Sequence, residues 1–304
     1  MVKVPRLKLS GWIALDKPYG MSSTQALGKL RWLFNAEKAG HGGTLDPLAT
    51  GLLPIALGEA TKTVSYAMDG RKIYHFRAQW GSQTNTDDLE GQTTAQSVSR
   101  PSQISIESIL QQFTGEIMQA PPAFSAIKIA GERAYDLARA GAAPEMVARP
   151  VTVETLRLID ASNADYADFE VVCGKGTYIR SLARDMGRVL GCFGHVSKLR
   201  RTQVGPFTQN QMISLELLEE ISHRDGTEAL QKALFPIETV LDGIPALAVM
   251  GSDAAKLRQG QQVLLRGANA PISVAAVLVR SGTELVGIGE VSQGILKTKR
   301  LFNL

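Results

Sequence analysis

The sequence contains few residues of the types that build covalent or metal-held frameworks. Among its 304 residues there are two cysteines, Cys173 and Cys192, and four histidines that lie far apart. Two cysteines cannot form a disulfide framework or a four-cysteine zinc site, and widely spaced histidines do not resemble a cluster of metal ligands. We therefore predict no metal site. The low cysteine content fits a reducing compartment.

Long apolar runs are also absent. The longest run, residues 270–279, contains Pro271 and Ser273 and is far shorter than the roughly 18 residues of a membrane-spanning helix. Near the N-terminus, the apolar stretch 12–15 is too short for the core of a signal peptide. We expect a soluble cytoplasmic protein that has no membrane partner.

The remaining composition is typical of a packed globular protein. Apolar residues make up 44% and charged residues 20% of the chain, which excludes a disordered or fibrous protein. A chain of this length is expected to form about two domains.

Basic residues exceed acidic residues only slightly, by 33 to 29, but they are unevenly distributed. The segment 171–210 holds seven basic side chains and one acidic one, and the segment 1–40 holds seven against two. If these segments converge in space, they would attract a polyanion such as a nucleic acid. The counts agree equally well with solvated surface charges, so both interpretations remain open at this point.

Hydrophobic periodicity predicts both strands and helices up to about residue 240. The clearest strand is 73–80, where apolar and aromatic residues alternate with more polar ones. Further strands are predicted at 11–15, 52–57, 151–160 and 169–173, and helices after Ser22 or Ser23, at 106–113, near 132–140, at 177–190, around 215–222 and near 228–234.

The helix predicted at 177–190 has two distinct faces. Its apolar residues form a stripe, while Arg180, Arg184 and Arg188 follow one another at four-residue intervals. We expect an apolar face towards the core and a basic ridge on the other side.

The pattern of apolar residues and glycines in the sequence changes at about residues 236–245. Beyond this point, short β-type runs at 262–265, 273–279 and 284–291 are separated by glycines. We predict one domain over residues 1–240 and a small, mostly β domain over residues 245–304.

The stretch 41–51, with the sequence HGGTLDPLATG, is the most unusual one. Proline after Asp46 pushes the backbone of the aspartate towards extended conformations, and the glycines let a ligand approach the main chain. Such a loop holds one carboxylate on a rigid support, as an active site requires. The alternative is a structural turn in which Asp46 bonds its own backbone.

Several motifs, in this order, resemble those of the bacterial tRNA pseudouridine-55 synthase (TruB) family. They are LDKP at 15–18, HGGTLDP at 41–47 with ATG at 49–51, GTYIRSL at 176–182 and the basic segment KLRRT at 198–202. The resemblance extends from about residue 9 to residue 204. The region after residue 245 is similar, though less closely, to the PUA-like RNA-binding domain of that family.

The resemblance implies an α+β fold in which helices flank a mixed, mainly antiparallel sheet, followed by the small β-rich PUA-like domain. It implies an isomerase that converts uridine 55 in the T-loop of tRNA to pseudouridine. The N1–C1′ bond breaks, the uracil rotates and a C5–C1′ bond forms, which demands no cofactor. The implied partner is tRNA, contacted at the T-arm, with the acceptor stem as a second candidate contact. The family suggests a monomer with no obligate protein partner.

The resemblance also assigns roles by motif position. Asp46 corresponds to the catalytic carboxylate, which acts as a nucleophile or as a base at the sugar. Arg180 corresponds to the arginine that pairs with this carboxylate. Without the resemblance, Arg180 would be one more member of the basic ridge.

Further residues correspond to positions that contact the substrate. The resemblance implies that the ring of Tyr74 stacks on the target base, that Tyr178 and Leu199 line the uracil pocket, and that His41 contacts the RNA. Taken alone, Tyr74 fits a half-buried core position equally well, and His41 fits a turn.

Two residues are expected to support this machinery. Lys17 belongs to the first motif, and Asp88 corresponds to an acidic position that supports the tyrosine.

Two other functions remain open at this point. The first is an RNA chaperone that uses the same fold without turnover. The second is an aspartate-dependent glycosidase acting on a free nucleoside, but glycosidases normally need a second carboxylate. The loop 41–51 offers only one.

Overall fold

The computed structural model describes residues 6–125, 127–129, 132–134, 137, 146–267 and 269–304. Strands dominate its first 214 residues. They are β1 Gly11–Lys17, β2 Ala39–His41, β3 Thr50–Leu57, β4 Lys72–Trp80, β5 Ser82–Thr84, β6 Thr93–Gln96, β7 Gly115–Gln119, β8 Lys128–Ile129, β9 Glu132–Arg133, β10 Arg149–Asp160, β11 Tyr166–Cys173, β12 Gly194–Val204, β13 Phe207–Thr208 and β14 Ile213–Ser214.

Helices are fewer than strands among the described residues. The α-helices up to residue 240 are α1 Ser23–Leu33, α2 Val64–Asp69, α3 Gln103–Ile109, α4 Ile179–Val189 and α5 Leu215–Asp225. Short 3₁₀ helices cover Gly58–Thr63, Leu110–Phe113, Gln209–Gln211, Thr227–Ala233 and Ile237–Leu241.

Ten strands form one sheet, in the order β14-β1-β3-β12-β4-β11-β10-β7, with β2 beside β3 and β13 beside β12. The pairs β1/β14 and β3/β12 are parallel, and the other pairs are antiparallel. The expected α+β fold with a mixed, mainly antiparallel sheet is confirmed. The parallel pair β3/β12 places Gly51 beside Arg201, so the end of the loop 41–51 lies against the basic segment 198–202.

The sheet is covered on both faces. Alternate residues of β1 enter two different cores: Ile13 and Leu15 pack with the apolar sides of α1, α4 and α5, whereas Trp12 and Ala14 pack with Phe207. Because both faces are covered, β3 is almost entirely buried, which explains why its sequence is continuously apolar.

Local signals fix the start of α1. The Ser22 hydroxyl accepts a hydrogen bond from the Gln25 N–H at 3.2 Å, and the Gln25 side chain accepts one from the Ser22 N–H at 2.9 Å. This reciprocal capping satisfies two donors at the helix start.

The C-terminal region forms a second sheet. Its strands are β15 Ala246–Ala248, β16 Val263–Leu264, β17 Val274–Ser281, β18 Glu284–Ser292 and β19 Ile295–Leu301, in the order β15-β17-β18-β19-β16, with helix α6 Gly251–Arg258 packed against them. The predicted β-rich character is confirmed.

The sequence analysis missed three C-terminal elements, the short strand β15, helix α6 and strand β19. Helix α6 has no side-chain cap and buries only Ala254 and Leu257, so its periodic signal is weak. Strand β19 carries Lys297, Lys299 and Arg300, and it becomes recognisable as a strand through its pairing with β18.

One predicted helix is wrong at its start. Residues Glu132–Arg133 form a short strand paired with Lys128–Ile129, where the sequence predicted a helix near 132–140. Apart from residues 134 and 137, the rest of that segment lies outside the described residues.

The two sheets are joined by specific contacts. The Lys62 ammonium donates to the Leu301 carbonyl at 2.7 Å, and the Asn303 N–H donates to the Glu59 carboxylate at 2.8 Å. Phe302, which lies between Leu301 and Asn303 in the chain, is 3% exposed and belongs to the same apolar cluster as Trp12. The end of the chain is therefore anchored on the main sheet.

Among the helices of the described residues, none is both long enough and apolar enough to cross a membrane.

We expect Phe302→Ala to destabilise the protein by about 3–5 kcal/mol, because it removes a buried ring and leaves a cavity between the two sheets. Urea unfolding followed by fluorescence measures this change. Leu304→Ala is the control, since Leu304 is 63% exposed and its truncation should change stability by less than about 0.5 kcal/mol. Equal stabilities of the two variants would contradict the anchoring role of Phe302.

Candidate active site

Asp46 lies in the loop between β2 and β3, which is fixed on both sides of the aspartate. The Ser23 hydroxyl accepts a hydrogen bond from the Leu45 N–H and donates one to the Leu45 carbonyl, both at 2.8 Å. The Lys17 ammonium donates to the Pro47 carbonyl at 3.3 Å. Asp46 therefore projects from a loop with little freedom to move.

Lys17 connects this loop to the end of β1. Its fully buried ammonium also donates to the carbonyls of Pro18, at 2.8 Å, and Met21, at 2.7 Å. Burial lowers the pKa of Lys17 to about 8, although the negative charge of Asp46 acts in the opposite direction. Lys17, which the sequence predicted as a supporting residue, is thus in a position to hold the loop of Asp46 against the end of β1.

The carboxylate of Asp46 faces Arg180. One oxygen accepts a hydrogen bond from Arg180 Nη2 at 3.3 Å, and the other lies 2.9 Å from Arg180 Nε. The side chain of Asp46 remains 35% exposed, whereas that of Arg180 is 7% exposed. The carboxylate pairs with this arginine. In the described part of the chain it makes no hydrogen bond to its own backbone, whereas a structural turn would require one.

Arg180, in the first turn of α4, is held by two further loops. Its Nη1 donates to the Thr86 carbonyl at 2.9 Å, and its Nη2 donates to the Phe124 carbonyl at 3.0 Å. These contacts orient the guanidinium so that its remaining edge meets Asp46.

Asp88 lies on the far side of the same arginine. One of its oxygens is 3.6 Å from Arg180 Nη1, and the other accepts hydrogen bonds from the Thr86 hydroxyl and from the Glu90 N–H. The sequence predicted that Asp88 supports the tyrosine. In the structure its contacts are with Arg180 and its own loop.

Tyr74 lies on β4 and is 8% exposed. The guanidinium carbon of Arg201 lies 5.9 Å from the centre of its ring. Burial raises the pKa of the Tyr74 hydroxyl, so this group stays protonated at neutral pH. In the free protein, the ring of Tyr74 is therefore too buried for a base to stack on it.

Arg201 is a site residue that the sequence analysis did not identify. It is 1% exposed, and it donates to the carbonyls of Leu52, at 2.7 Å, and Gly43, at 3.0 Å. It therefore ties β12 to the loop of Asp46. The available signal was its position two residues after Leu199, which places both side chains on the same face of a strand.

Tyr178 immediately precedes α4 and is positioned by Gln119, a second residue that the sequence analysis missed. The Tyr178 N–H donates to the Gln119 side chain at 2.8 Å, and the Gln119 amide donates to the Tyr178 carbonyl at 3.1 Å. This pair takes the place of a side-chain cap at the start of the helix.

His41 ends β2, one residue before the glycines of the loop. Burial, together with the positive charge of Arg201, lowers the pKa of its imidazole, which is therefore neutral at neutral pH. Its Nδ1 is buried and has no hydrogen-bond partner in the described part of the chain. A buried ring nitrogen of this kind is available to a ligand.

Two neighbouring cavities meet at this site. A small one of about 20 Å³ is lined by Asp46, Arg180 and Leu199 among others, and it is large enough for about one water molecule. A larger one of about 690 Å³ continues from it along the sheet. The residues that line both are Leu48, Ser197, Lys198 and Leu199.

The walls of the larger cavity combine apolar and basic side chains. Tyr19 contributes an exposed aromatic ring, whereas Phe76 and Phe169 lie behind the wall as buried core residues. Arg77, Lys198 and Arg200 contribute positive charge. Arg77 and Arg200 are partly balanced by ion pairs with Asp168 and Asp16.

The basic ridge predicted on α4 is not a surface feature as a whole. Arg180 and Arg184 are 6% and 7% exposed and pair with acidic residues, whereas Arg188 remains exposed. The sequence pattern could not reveal this, because it does not show that the acidic loop 86–88 packs against the helix. Fewer cations are therefore free for a polyanion than the sequence counts suggest.

The acidic residues at the site are balanced by arginine rather than arranged around a cation position. Asp46 and Asp88 both face Arg180. Over the residues that the structure describes, no group of three or more histidine, cysteine, aspartate or glutamate side chains could hold a metal ion.

Three family models match successive parts of this chain. Residues 31–179 match the model of the TruB family pseudouridylate synthase N-terminal domain. Residues 180–242 match the tRNA pseudouridylate synthase B C-terminal domain, and residues 245–302 match the C-terminal domain of pseudouridine synthase II TruB.

Similar proteins cover almost the whole chain. The tRNA pseudouridine synthase B of Bradyrhizobium diazoefficiens is 55% identical over 100% of this chain and 88% of its own length. That of Agrobacterium fabrum is 54% identical over 97% and 95%. Among solved structures, a Cbf5-Nop10-Gar1 complex contains a chain that is 28% identical, with a TM-score of 0.73 over 96% of this chain and 85% of that one. The resemblance inferred from the motifs is confirmed.

We expect Lys17→Met to loosen the loop of Asp46, because it removes the ammonium that joins the Pro47 carbonyl to β1. Loss of hydrogen bonds from a charged group, at about 1.5–3 kcal/mol, should speed amide exchange in residues 42–49 by about 10- to 100-fold. Hydrogen exchange followed by mass spectrometry measures this. Lys29→Met is the control, since Lys29 is 41% exposed and pairs with Glu219. Unchanged exchange in the Lys17 variant would refute the anchoring role.

Proposed function

The chain belongs to the TruB family of pseudouridylate synthases and is an enzyme that isomerises uridine to pseudouridine in tRNA; we propose that its target is uridine 55 of the T-loop and that Asp46 is the catalytic carboxylate. The observation that carries this assignment is the ion pair between Asp46 and Arg180. It leaves an exposed carboxylate on a fixed loop at the mouth of a cavity.

The reaction requires a correctly positioned carboxylate and few other protein groups. The N1–C1′ bond of uridine breaks, the uracil turns, and C5 bonds to C1′, while C5 loses a proton and N1 gains one. Asp46 acts at the sugar as a nucleophile or as a base. Because no group is transferred to another molecule and no oxidation state changes overall, side chains alone can perform the reaction.

The target uridine must leave the folded T-loop before its sugar reaches Asp46. Extruding a nucleotide costs a few kcal/mol of stacking and pairing. Stacking on an aromatic ring returns about 1–3 kcal/mol, and we assign this role to Tyr74. Since Tyr74 is 8% exposed and the cavity at Asp46 is about 20 Å³, uracil entry requires neighbouring side chains to move.

We assign the remaining substrate contacts to the residues around this cavity. Leu199 lines this cavity and Tyr178 lies two residues before Arg180, and we assign both to the uracil. We assign His41, whose Nδ1 has no hydrogen-bond partner among the described residues, to the RNA beside the extruded base. Lys17 and Asp88 act indirectly, through the loop of Asp46 and through Arg180.

The larger cavity is the proposed path for the T-arm. The exposed ring of Tyr19 suits an unstacked base, and the basic side chains suit the phosphate backbone. Lys198 lies where the two cavities meet, so it is well placed for a phosphate next to the target nucleotide.

We further propose a catalytic domain of residues 1–240 and an RNA-binding domain of residues 245–304. The separate sheet after residue 245 and the apolar cluster around Ala254 and Leu257 support this division, while Leu278, Leu285, Ile288 and Phe302 join the cluster of Trp12. Lys297, Lys299 and Arg300 on β19 would contact the acceptor stem. We expect the enzyme to act as a monomer in the cytoplasm.

We expect Asp46→Asn to abolish pseudouridine formation in an unmodified tRNA transcript, while tRNA affinity stays within about three-fold of wild type, because the carboxylate serves chemistry rather than docking. Nucleoside analysis of the RNA and a binding titration measure the two effects. Asp69→Asn, which changes an exposed carboxylate paired with Lys175, is the control and should retain full activity.

Other outcomes would overturn the assignment. Turnover by the Asp46 variant would show that another residue carries the reaction. Free uracil instead of pseudouridine would indicate a glycosidase, and tRNA binding without any product from the wild-type protein would indicate an RNA chaperone.

We expect the affinity for tRNA to fall by about 10³-fold or more between 50 and 200 mM salt if about six phosphates are contacted, because each contact releases counterions. Lys198→Ala should reduce the slope of log Kd against log salt by about one. Fluorescence polarisation over a series of salt concentrations measures both. A flat response would contradict a phosphate-based interface.

A further inference from the structure

Arg184 is a buried charge that the proposed reaction does not use directly. It lies one helical turn after Arg180 on α4, on the same side of the helix, and is 7% exposed. A buried guanidinium is costly unless its donors find partners. The partners of Arg184 are therefore informative.

These partners come from two loops and from the helix itself. Arg184 Nη1 donates to the Asp87 carboxylate at 2.9 Å, and Nη2 donates to the Ala120 carbonyl at 2.8 Å. Nε donates to the adjacent Asp185 at 2.8 Å. Arg184 thus joins the loop at 86–88 to the loop at 120–124 across the helix.

Both of these loops also hold Arg180. The Thr86 carbonyl, next to Asp87, accepts a hydrogen bond from Arg180, and Asp88 lies 3.6 Å from it. In the second loop, the Phe124 carbonyl accepts another hydrogen bond from Arg180. Arg184 consequently fixes the supports of the arginine that orients Asp46.

Asp87 shows that the first loop needs such fixing. It is 4% exposed and has a φ of 60°, a left-handed conformation that residues other than glycine adopt at a cost. Its carbonyl accepts a hydrogen bond from the Val196 N–H at 3.0 Å, so the loop is held between β12 and α4.

We propose that Arg184 and Asp87 are positioning residues for the isomerisation. Their ion pair holds the two loops that aim Arg180 at Asp46, and neither residue touches the substrate. This inference rests on the proposed function of Asp46. The competing explanation is a purely structural ion pair, whose loss would lower stability without a specific effect on the reaction rate.

The main test compares Arg184→Ala with Arg188→Ala by single-turnover kinetics on a tRNA transcript. We expect the rate constant at saturating enzyme to fall by about 10- to 100-fold in the Arg184 variant, because displacements of about 1 Å at a catalytic group have effects of this size. The Kd for tRNA should stay within about three-fold. Arg188→Ala should leave the rate constant unchanged, since Arg188 is 52% exposed and its contacts are with Gln83 and, at 3.8 Å, with Asp185.

Two milder variants keep the test decisive if Arg184→Ala fails to fold. Asp87→Asn preserves the shape of the side chain and removes its charge, and we expect a loss of about 5- to 10-fold in the same rate constant. Arg184→Lys restores a positive charge but cannot reach both loops with a planar group, so it should recover only part of the rate.

The outcomes separate this inference from the proposed function. If Asp46→Asn is inactive but folded Asp87→Asn and Arg184→Lys react like wild type, the positioning role is refuted and the proposed function stands. A loss expressed only in Kd, or an equal loss in Arg188→Ala, also refutes it. If wild type forms no pseudouridine, the proposed function itself fails.

Discussion

The ion pair between Asp46 and Arg180 is the interaction on which the site depends. A buried guanidinium is costly unless its donors find partners, and Nη1 and Nη2 of Arg180 donate to Thr86, Phe124 and Asp46. Its Nε lies 2.9 Å from the Asp46 carboxylate in the ion pair. The arginine therefore acts as a common support for three loops. Because two of its contacts are with backbone carbonyls, its edge towards Asp46 is set by the main chain and not by flexible side chains.

The loop of Asp46 is constrained from several other directions. Lys17 from β1, Ser23 from α1 and Arg201 from β12 each contact its backbone. Arg201 is far from Lys17 and Ser23 in the sequence, so the order of strands in the sheet creates the site. The parallel pairing of β3 with β12 is decisive, because it brings the basic segment 198–202 next to the end of the loop.

The sequence predicted the elements with strong local signals. The alternation in 73–80 and the capping residues before α1 gave correct elements, and the HGGTLDP loop pointed to Asp46. The predictions of which charged side chains lie at the surface were less accurate. The basic ridge on α4 was expected at the surface, but Arg180 and Arg184 are buried because an acidic loop packs against them. Gln119 carried no local signal of its role, and the signal for Arg201 was only its spacing from Leu199.

The sequence by itself determined the family and the expected chemistry, and it predicted the central carboxylate, because ordered motifs and turn-forming residues act over a few positions. Only the tertiary structure decided which charges are free and which are consumed inside the protein. It also decided that Asp88 faces Arg180 and that the chain end is anchored on the main sheet. Burial and pairing depend on which distant segments pack together, and composition and spacing along one chain do not contain that information.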